Sequence, residues 1–346
     1  MRVHVMELKA GDIVSSDIFN SYGLHVLSAG TILKDHDISR LFQHQVDYID
    51  IAHPSAESDA QAPGYPTSIK LNPLFQSAVS GFEQLFSQAI RDGRLRDEDV
   101  NESFRPLVSN FREEHDVVSL LLVLGTKDEY TYQHSVQVGM LSYYIALWTG
   151  RSEEEARHIG KAGYLHDIGK CRIESDILNK PGELTEEEFR EIKQHPIHGF
   201  DIIQQSFQDE LLAKAVLQHH ERLDGSGYPY GIRSPHIHVA ARIVAVADTY
   251  SAMISTRVYR EKRDLLHVLK ELYEQSFNKL DPVITHTFIR QMLPNFIGKR
   301  ATLSNGNSGT IVMTNPSDFF RPLVRIDDDF VDLARHSEVE IVEIAV

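Results

Sequence analysis

Cysteine is almost missing from this chain: Cys171 stands alone among 346 residues. That excludes an internal disulfide and any thiolate cluster, so a bound metal would need His and carboxylate ligands. Long apolar runs are missing as well. The longest, Val117 to Leu124, is interrupted by Ser119, whereas a bilayer-spanning helix needs roughly 20 predominantly apolar residues. No membrane span is expected. The opening residues, Met1-Arg2-Val3-His4-Val5-Met6-Glu7, lack the apolar core of a secretory signal, and together with the unpaired cysteine this points to the cytoplasm. Positive charge is the third shortage, with 35 Lys and Arg against 50 Asp and Glu for a net −15. Polyphosphate affinity comes mainly from clustered cations, so neither a nucleic-acid polymer nor a membrane is an expected partner. A small anionic ligand needs only a few local cations and stays open.

What the chain has in number is histidine, 18 in all. Apolar residues at 42% and charged ones at 25% otherwise describe an ordinary globular protein with ample core. At roughly 100–200 residues per domain, the length predicts two or three domains. Residues 1–52 show short apolar alternations punctuated by Gly11, Gly23 and Gly30, with one helical pattern from Asp35 to Gln43. They read as an N-terminal α+β accessory domain. Residues 53–70, with Pro54, Pro63 and Pro66 and no periodicity, read as a linker.

Residues 71–296 are helical in pattern, with about eight or nine helices expected. Ser152 with Glu155 and Thr185 with Glu188 have capping-box spacing, and Gly150 closes the helix before the first. Pro196 and Pro282 suit a first helical turn, the latter behind an Asp281 cap. Residues 297–346 change texture again: a turn at Asn305-Gly306-Asn307-Ser308-Gly309 separates short strand-like runs. They read as a C-terminal β-meander of three to five strands. The expected class is mainly α, a helical bundle with an α+β unit before it and a β-strand subdomain after it.

Nine of the histidines lie between His134 and Asp248, in particular company. His166-Asp167 and His219-His220 sit at helix ends, His134 one turn into a helix, and His195 before Pro196. Asp248 lies in the apolar stretch Ile243–Tyr250, and a buried carboxylate there has to be paired or metal-bound. Imidazole with carboxylate suits Fe, Mn, Zn, Ni or Cu better than Mg or Ca. Five histidines and two aspartates are too many ligands for one ion of ordinary coordination number and suit two.

The strings His166-Asp167-Ile168-Gly169-Lys170 and His219-His220-Glu221-Arg222-Leu223-Asp224-Gly225-Ser226-Gly227-Tyr228-Pro229 closely resemble the HD-GYP family. That family is a branch of the HD-domain metal-dependent phosphohydrolases. Further likeness lies in Asp128 through His134-Ser135, Ile177-Leu178-Asn179-Lys180-Pro181-Gly182, His195-Pro196, and Ala247-Asp248 with Arg257 and Arg260 downstream. The resemblance runs from about Asp116 to Phe296. It implies an HD-type bundle in which His134, His166, Asp167 and Asp248 hold one ion and His195, His219 and His220 the other, with Asp167 bridging. It implies two divalent transition-metal ions, Fe or Mn before Zn, Ni or Co, and hydrolysis of cyclic di-GMP to pGpG and onward to GMP by metal-activated water. His166, Asp167 and Lys170 would be the catalytic set.

Phosphodiesters repel hydroxide because both are anionic, and two metals meet that difficulty. Lys170 would contact phosphate, although a cation stabilising a helix end is the plainer role. Arg257 and Arg260, three apart, would reach the other phosphate or a guanine edge, or form a solvated helix end. Asp128 would orient a ligand or the nucleophile, or cap a helix. Tyr228 is expected as a support or lid residue, and Cys171 as a structural thiol. His198 reads as a surface or supporting residue.

Three positions depart from the family pattern. Tyr130 stands where some members have a Glu that supports a third metal, and Glu129 is rotated about 100° away on a helix, so two ions are expected. Ser251 replaces a common Asp and Val258 a common Pro, which bear on base recognition and loop rigidity. The alternatives to a cyclic di-GMP phosphodiesterase are a phosphohydrolase of another cyclic dinucleotide and a non-catalytic cyclic dinucleotide receptor. A homodimer contact or a signalling partner is to be sought in the flanking domains.

Overall fold

The protein was analysed as a computed structural model. It describes residues 2–5, 8–9, 11–19, 25–34, 37–38, 41, 46, 48–52, 68–111, 130–180, 182–254, 265–315, 317–327 and 329–344. The fold is mainly α. Its contacts divide the chain into two compact units, Tyr65–Gln291 and a second that joins Met1–Gly64 with Met292–Val346. None of the described helices is long and apolar enough to cross a membrane.

Ten helices longer than one turn are present among the described residues: α1 (Ser68–Asp92), α2 (Asp97–Phe111), α3 (Tyr130–Trp148), α4 (Glu153–Leu165), α5 (Glu186–Ile192), α6 (His195–Phe207), α7 (Glu210–Gln218), α8 (Val239–Ile254), α9 (Leu265–Gln275) and α10 (Pro282–Met292). That exceeds the eight or nine expected, in part because α5 and α6 are separate helices only two residues apart. The N-terminal signals act as read. Ser152 and Glu155 form a reciprocal capping box on α4, and Thr185 and Glu188 form one on α5. Asp281 Oδ1 accepts from Val283 N at 3.0 Å and Ile284 N at 3.2 Å at the start of α10. Pro196 sits in the first turn of α6, where its missing N–H costs nothing.

Every residue of α3 from His134 to Ala146 is buried, as befits a helix enclosed on all sides. It packs against α1, α4 and α8. Tyr164 of α4 stacks on Phe104 of α2, ring centroids 4.7 Å apart, and its hydroxyl donates to Ala78 O of α1 at 2.8 Å. On the other side Tyr250 of α8 meets Phe288 of α10 edge to face. This close packing holds α3, the end of α4 and α8 together, so polar groups on their inner faces have to find partners among themselves.

In the other unit, strands β1 (Arg2–His4), β2 (Ile13–Val14) and β5 (Tyr48–Ala52) form an antiparallel sheet in the order β1-β5-β2, and β3 (Ile18–Phe19) pairs with β4 (His25–Leu27). Val3, Val5, Val14, Val26, Leu33 and Leu41 belong to the core of this region. Of the helical pattern Asp35–Gln43, Asp37, Ile38 and Leu41 are helical and the rest lies outside the described residues. So do residues 53–67 of the expected linker, and α1 already begins at Ser68.

Strands β6 (Arg300–Leu303), β7 (Ser308–Met313), β8 (Leu323–Ile326) and β9 (Asp329–Asp332) run as the expected meander. Gly306, at φ +84°, makes the β6–β7 turn. The fifth strand, β10 (Ile341–Ile344), returns to pair with β6 at the opposite edge.

Candidate metal centre

The seven His and Asp side chains come together inside the helical unit. Two groups of donor atoms, each within 4.8 Å of one another, are Asp167, His195, His219 and His220, and His134, His166 and Asp248. Asp167 stands between them. Its Oδ1 lies 3.2 Å from His195 Nε2, while Oδ2 lies 3.2 Å from His166 Nε2 and 4.0 Å from His134 Nε2. Asp248 also faces both ways, with Oδ1 3.1 Å from His134 Nε2 and Oδ2 3.6 Å from His220 Nδ1. The sequence placed Asp248 with one ion only.

Helix ends set the imidazoles. His166 caps the C-terminus of α4 with Nδ1 2.7 Å from Gly163 O, and His219 caps α7 with Nδ1 2.7 Å from Val216 O. His195 opens α6 with Nδ1 2.7 Å from Ile192 O, in the last turn of α5. A carbonyl can only accept, so each ring carries a proton on Nδ1 and turns Nε2 inward. The terminal carbonyls, which a helix leaves unpaired, gain donors in the same step.

His134 is held differently. Its Nδ1 lies 3.0 Å from Ser251 Oγ on α8, and Ser251 Oγ donates to Gln137 Oε1 at 3.0 Å. Ser251 therefore stands behind a candidate ligand.

Glycine lets the pieces approach. After Asp167 the chain makes a short 3-10 turn, Ile168–Arg172, and a Cβ on Gly169 would overlap His195 O and the backbone of Gly199. Any larger residue would push Asp167 away from α6. A Cβ on Gly227 would likewise overlap the backbone of His220, Glu221 and Arg222, so glycine lets the segment after His220 fold back over it. Glu221, buried, ties that fold by accepting from Tyr230 N at 2.8 Å and Ile232 N at 3.1 Å. Tyr228 then stacks on His220, centroids 4.5 Å apart at 29°, and Lys193 Nζ lies 5.5 Å from the same ring. The sequence treated Glu221 only as part of a string, and Lys193 and Gln137 went unnoticed. Gln137, at i+3 from His134, did carry a signal in its spacing.

The protonation states suit a cation. Burial pushes the Asp167 carboxyl up, but His166 and Lys170 beside it outweigh that and hold it well below the usual carboxylate range. For Asp248 burial again opposes, and the hydrogen bond with His134 outweighs it and brings the carboxyl well below the usual range. Burial lowers His195 to about 4, against the pull of Asp167. His219 and His220 are likewise driven well below the ordinary imidazole value by burial and by neighbouring imidazoles. His166 goes the other way: burial lowers it, and Asp167 more than compensates. Two buried atoms, His166 Nε2 and Asp167 Oδ1, have no hydrogen-bond partner, at a cost of about 1–3 kcal/mol each. Ionised carboxylates, inward lone pairs and unsatisfied donor atoms fit divalent transition metals.

Lys170 Nζ lies 2.6 Å from Asp167 Oδ2, so a side chain still 22% exposed pairs the buried carboxylate with a cation. His198 belongs to neither donor group. His158 pairs with Asp209 at 2.5 Å, away from these groups. Asp128, Arg257, Arg260 and Val258 lie outside the described residues, and Tyr130 is the first residue of α3.

Comparison with known proteins agrees with this architecture. Residues 120–284 match the HD domain family. The chain is 34% identical over 207 residues to the cyclic di-GMP phosphodiesterase PA4108 of Pseudomonas aeruginosa, covering 60% of this chain and 50% of that protein. It is 34% identical over 169 residues to the 3'3'-cGAMP-specific phosphodiesterase 1 of Vibrio cholerae, covering 49% of this chain and 39% of that protein. The chain thus spans half or less of the length of these curated relatives. Among solved structures, Bd1817, an HDG"Y"P protein from Bdellovibrio bacteriovorus, has a similar fold, with TM-score 0.54 at 17% identity, over 83% of this chain and 97% of that one.

Proposed function

From a helical unit that carries an HD domain and resembles the HD-GYP family, we propose that this chain is a metal-dependent phosphodiesterase that opens cyclic di-GMP to pGpG and onward to GMP. The observation that carries the reading is Asp167, whose two oxygens face two separate donor groups. On this reading His134, His166, Asp167 and Asp248 hold one divalent ion, and His195, His219 and His220 with Asp167 hold a second. Two such ions would neutralise the non-bridging phosphate oxygens and activate water.

The chain's own residues do the rest. The helix-end carbonyls keep the imidazoles oriented before any ion arrives. Lys170, drawn to Asp167 Oδ2 and still 22% exposed, can meet a phosphate and offset charge that builds in the transition state. Tyr228, stacked on His220, and the loop that Glu221 ties down shield that imidazole from bulk water. Arg257, Arg260 and Asp128 remain proposed substrate contacts on the strength of their place in the sequence.

A second reading, hydrolysis of another cyclic dinucleotide, is favoured by the resemblance to a 3'3'-cGAMP-specific relative. The test is anaerobic purification with metal analysis, then product identification from cyclic di-GMP and 3'3'-cGAMP with Fe or Mn supplied. Two ions per chain and pGpG or GMP from cyclic di-GMP support the proposal. Turnover of 3'3'-cGAMP alone favours the second reading. Two bound ions without turnover of either would leave a receptor and defeat both.

A further inference from the structure

His166, His195 and His219 each turn Nδ1 to a backbone carbonyl. His134 differs: its Nε2 lies 3.1 Å from Asp248 Oδ1, and its Nδ1 is turned to a hydroxyl. It sits on α3 and is nearly enclosed, at 5% exposure. Its Nδ1 meets the hydroxyl of Ser251, 117 residues away on α8, at 3.0 Å. A hydroxyl has one proton to give, and Ser251 gives it to Gln137 Oε1 at 3.0 Å. Toward His134 the same oxygen is then an acceptor, which requires the proton on Nδ1. Ser251 is fully buried and Gln137 almost so, at 0% and 4% exposure. Gln137 follows His134 by three residues, which places both side chains on one face of α3.

We infer that Ser251 and Gln137 form a proton-orienting relay, Gln137 Oε1 ← Ser251 Oγ–H with Ser251 Oγ ← His134 Nδ1–H, that presents His134 Nε2 to a metal ion. Both are positioning residues. The relay is uncharged throughout, unlike a carboxylate behind an imidazole, which would polarise the ring and strengthen it as a donor. Like the carbonyls behind His166, His195 and His219, it supplies orientation rather than charge. The role of His134 Nε2 rests on the metal-site reading above, whereas the relay itself is legible without a metal.

The experiment uses the full chain with Zn(II) titrated against a chromophoric chelator, so that each ion's affinity is read separately. Ser251→Ala should weaken one ion by about 10–100-fold, the range for loss of a group behind a metal-bound imidazole, and leave the other within threefold. Gln137→Leu should weaken the same ion less. Ser251→Asp, which supplies a charged acceptor, should restore the affinity or exceed it, a rescue that mere packing would not give. Both ions unchanged in Ser251→Ala, or both weakened equally, would overturn the inference.

The second measurement is long-range ¹H–¹⁵N NMR of His134 in the metal-free wild type, which also settles the case if a variant does not fold. A proton on Nδ1 is expected, and a bare Nδ1 overturns the relay. If the wild-type chain takes up no divalent ion, the metal-site reading fails by itself, while the Nδ1 proton still decides for or against the relay.

Discussion

Asp167 meets His195 through Oδ1 at 3.2 Å, a contact made between the turn that ends α4 and the first residue of α6. The carboxylate's other oxygen is left for the His166 side and for Lys170. Asp167→Asn keeps the shape but gives up the charge and one acceptor. On the proposed function, metal content should fall from two ions to at most one per chain, and turnover of cyclic di-GMP by about 100-fold or more, as expected when a group acting only as part of a unit is lost. Elemental analysis of the purified variant and product assay check this. Retention of two ions would remove Asp167 from the shared position.

Gly169 makes that contact reachable, because a methyl group there would overlap His195 O. Gly169→Ala should cost about 1–3 kcal/mol of stability, as overpacking does, and reduce metal uptake in parallel. Thermal unfolding with and without metal measures both. Wild-type values in each would show that α6 can shift without consequence.

Glu221 offers a different lever, since it touches no metal-facing atom but ties the loop that carries Tyr228. Removing both acceptor oxygens in Glu221→Ala strands two loop N–H groups, at about 1–3 kcal/mol for an unsatisfied buried group. Limited proteolysis should then cut within 222–232 faster than in the wild type, and Glu221→Gln, which keeps one acceptor, should fall between. Unchanged cleavage in Glu221→Ala would argue that the loop holds without it.

Burial pushes the Cys171 thiol up to about 11, and only the thiolate reacts. Against an ordinary value near 8.5, thiolate at pH 8 becomes about 100-fold or more scarcer. The sign follows directly: the native state favours the protonated thiol, so stability from this group is present below the ordinary value and declines as pH rises through the raised one. Alkylation of the folded chain at pH 8 should be slower than that of the denatured chain by about that factor. Equal rates would contradict it.

Local features were legible in the sequence because their causes are local. Ser152 with Glu155 and Thr185 with Glu188 needed only three residues' spacing. The seven ligand candidates were legible as strings, and the structure gathers them. What stayed hidden depends on contacts between distant segments. Nothing near Ser251 says that it backs His134, 117 residues earlier, and nothing near Gly169 says that His195 O occupies the space a side chain would take. The return of β10 to β6 is equally non-local, and the two-residue break between α5 and α6 is too short to disturb the helical pattern. Asp248's second face, toward His220, was hidden for the same reason: one helix carried it and another received it.

The candidate ligands span the chain from His134 to Asp248 and sit on α3, α8 and the ends of α4, α6 and α7. An ion bound there is a staple across helices drawn from more than 100 residues of sequence. Because an unfolded chain cannot assemble such a cage, each ion binds the native state alone and deepens its stability by mass action, about 2.7 kcal/mol when free metal is 100 times the dissociation constant. On the proposed function, metal scarcity would thus do more than halt turnover: it would shift the chain toward unfolding and clearance, so that its amount, and not only its rate, would follow the metal supply.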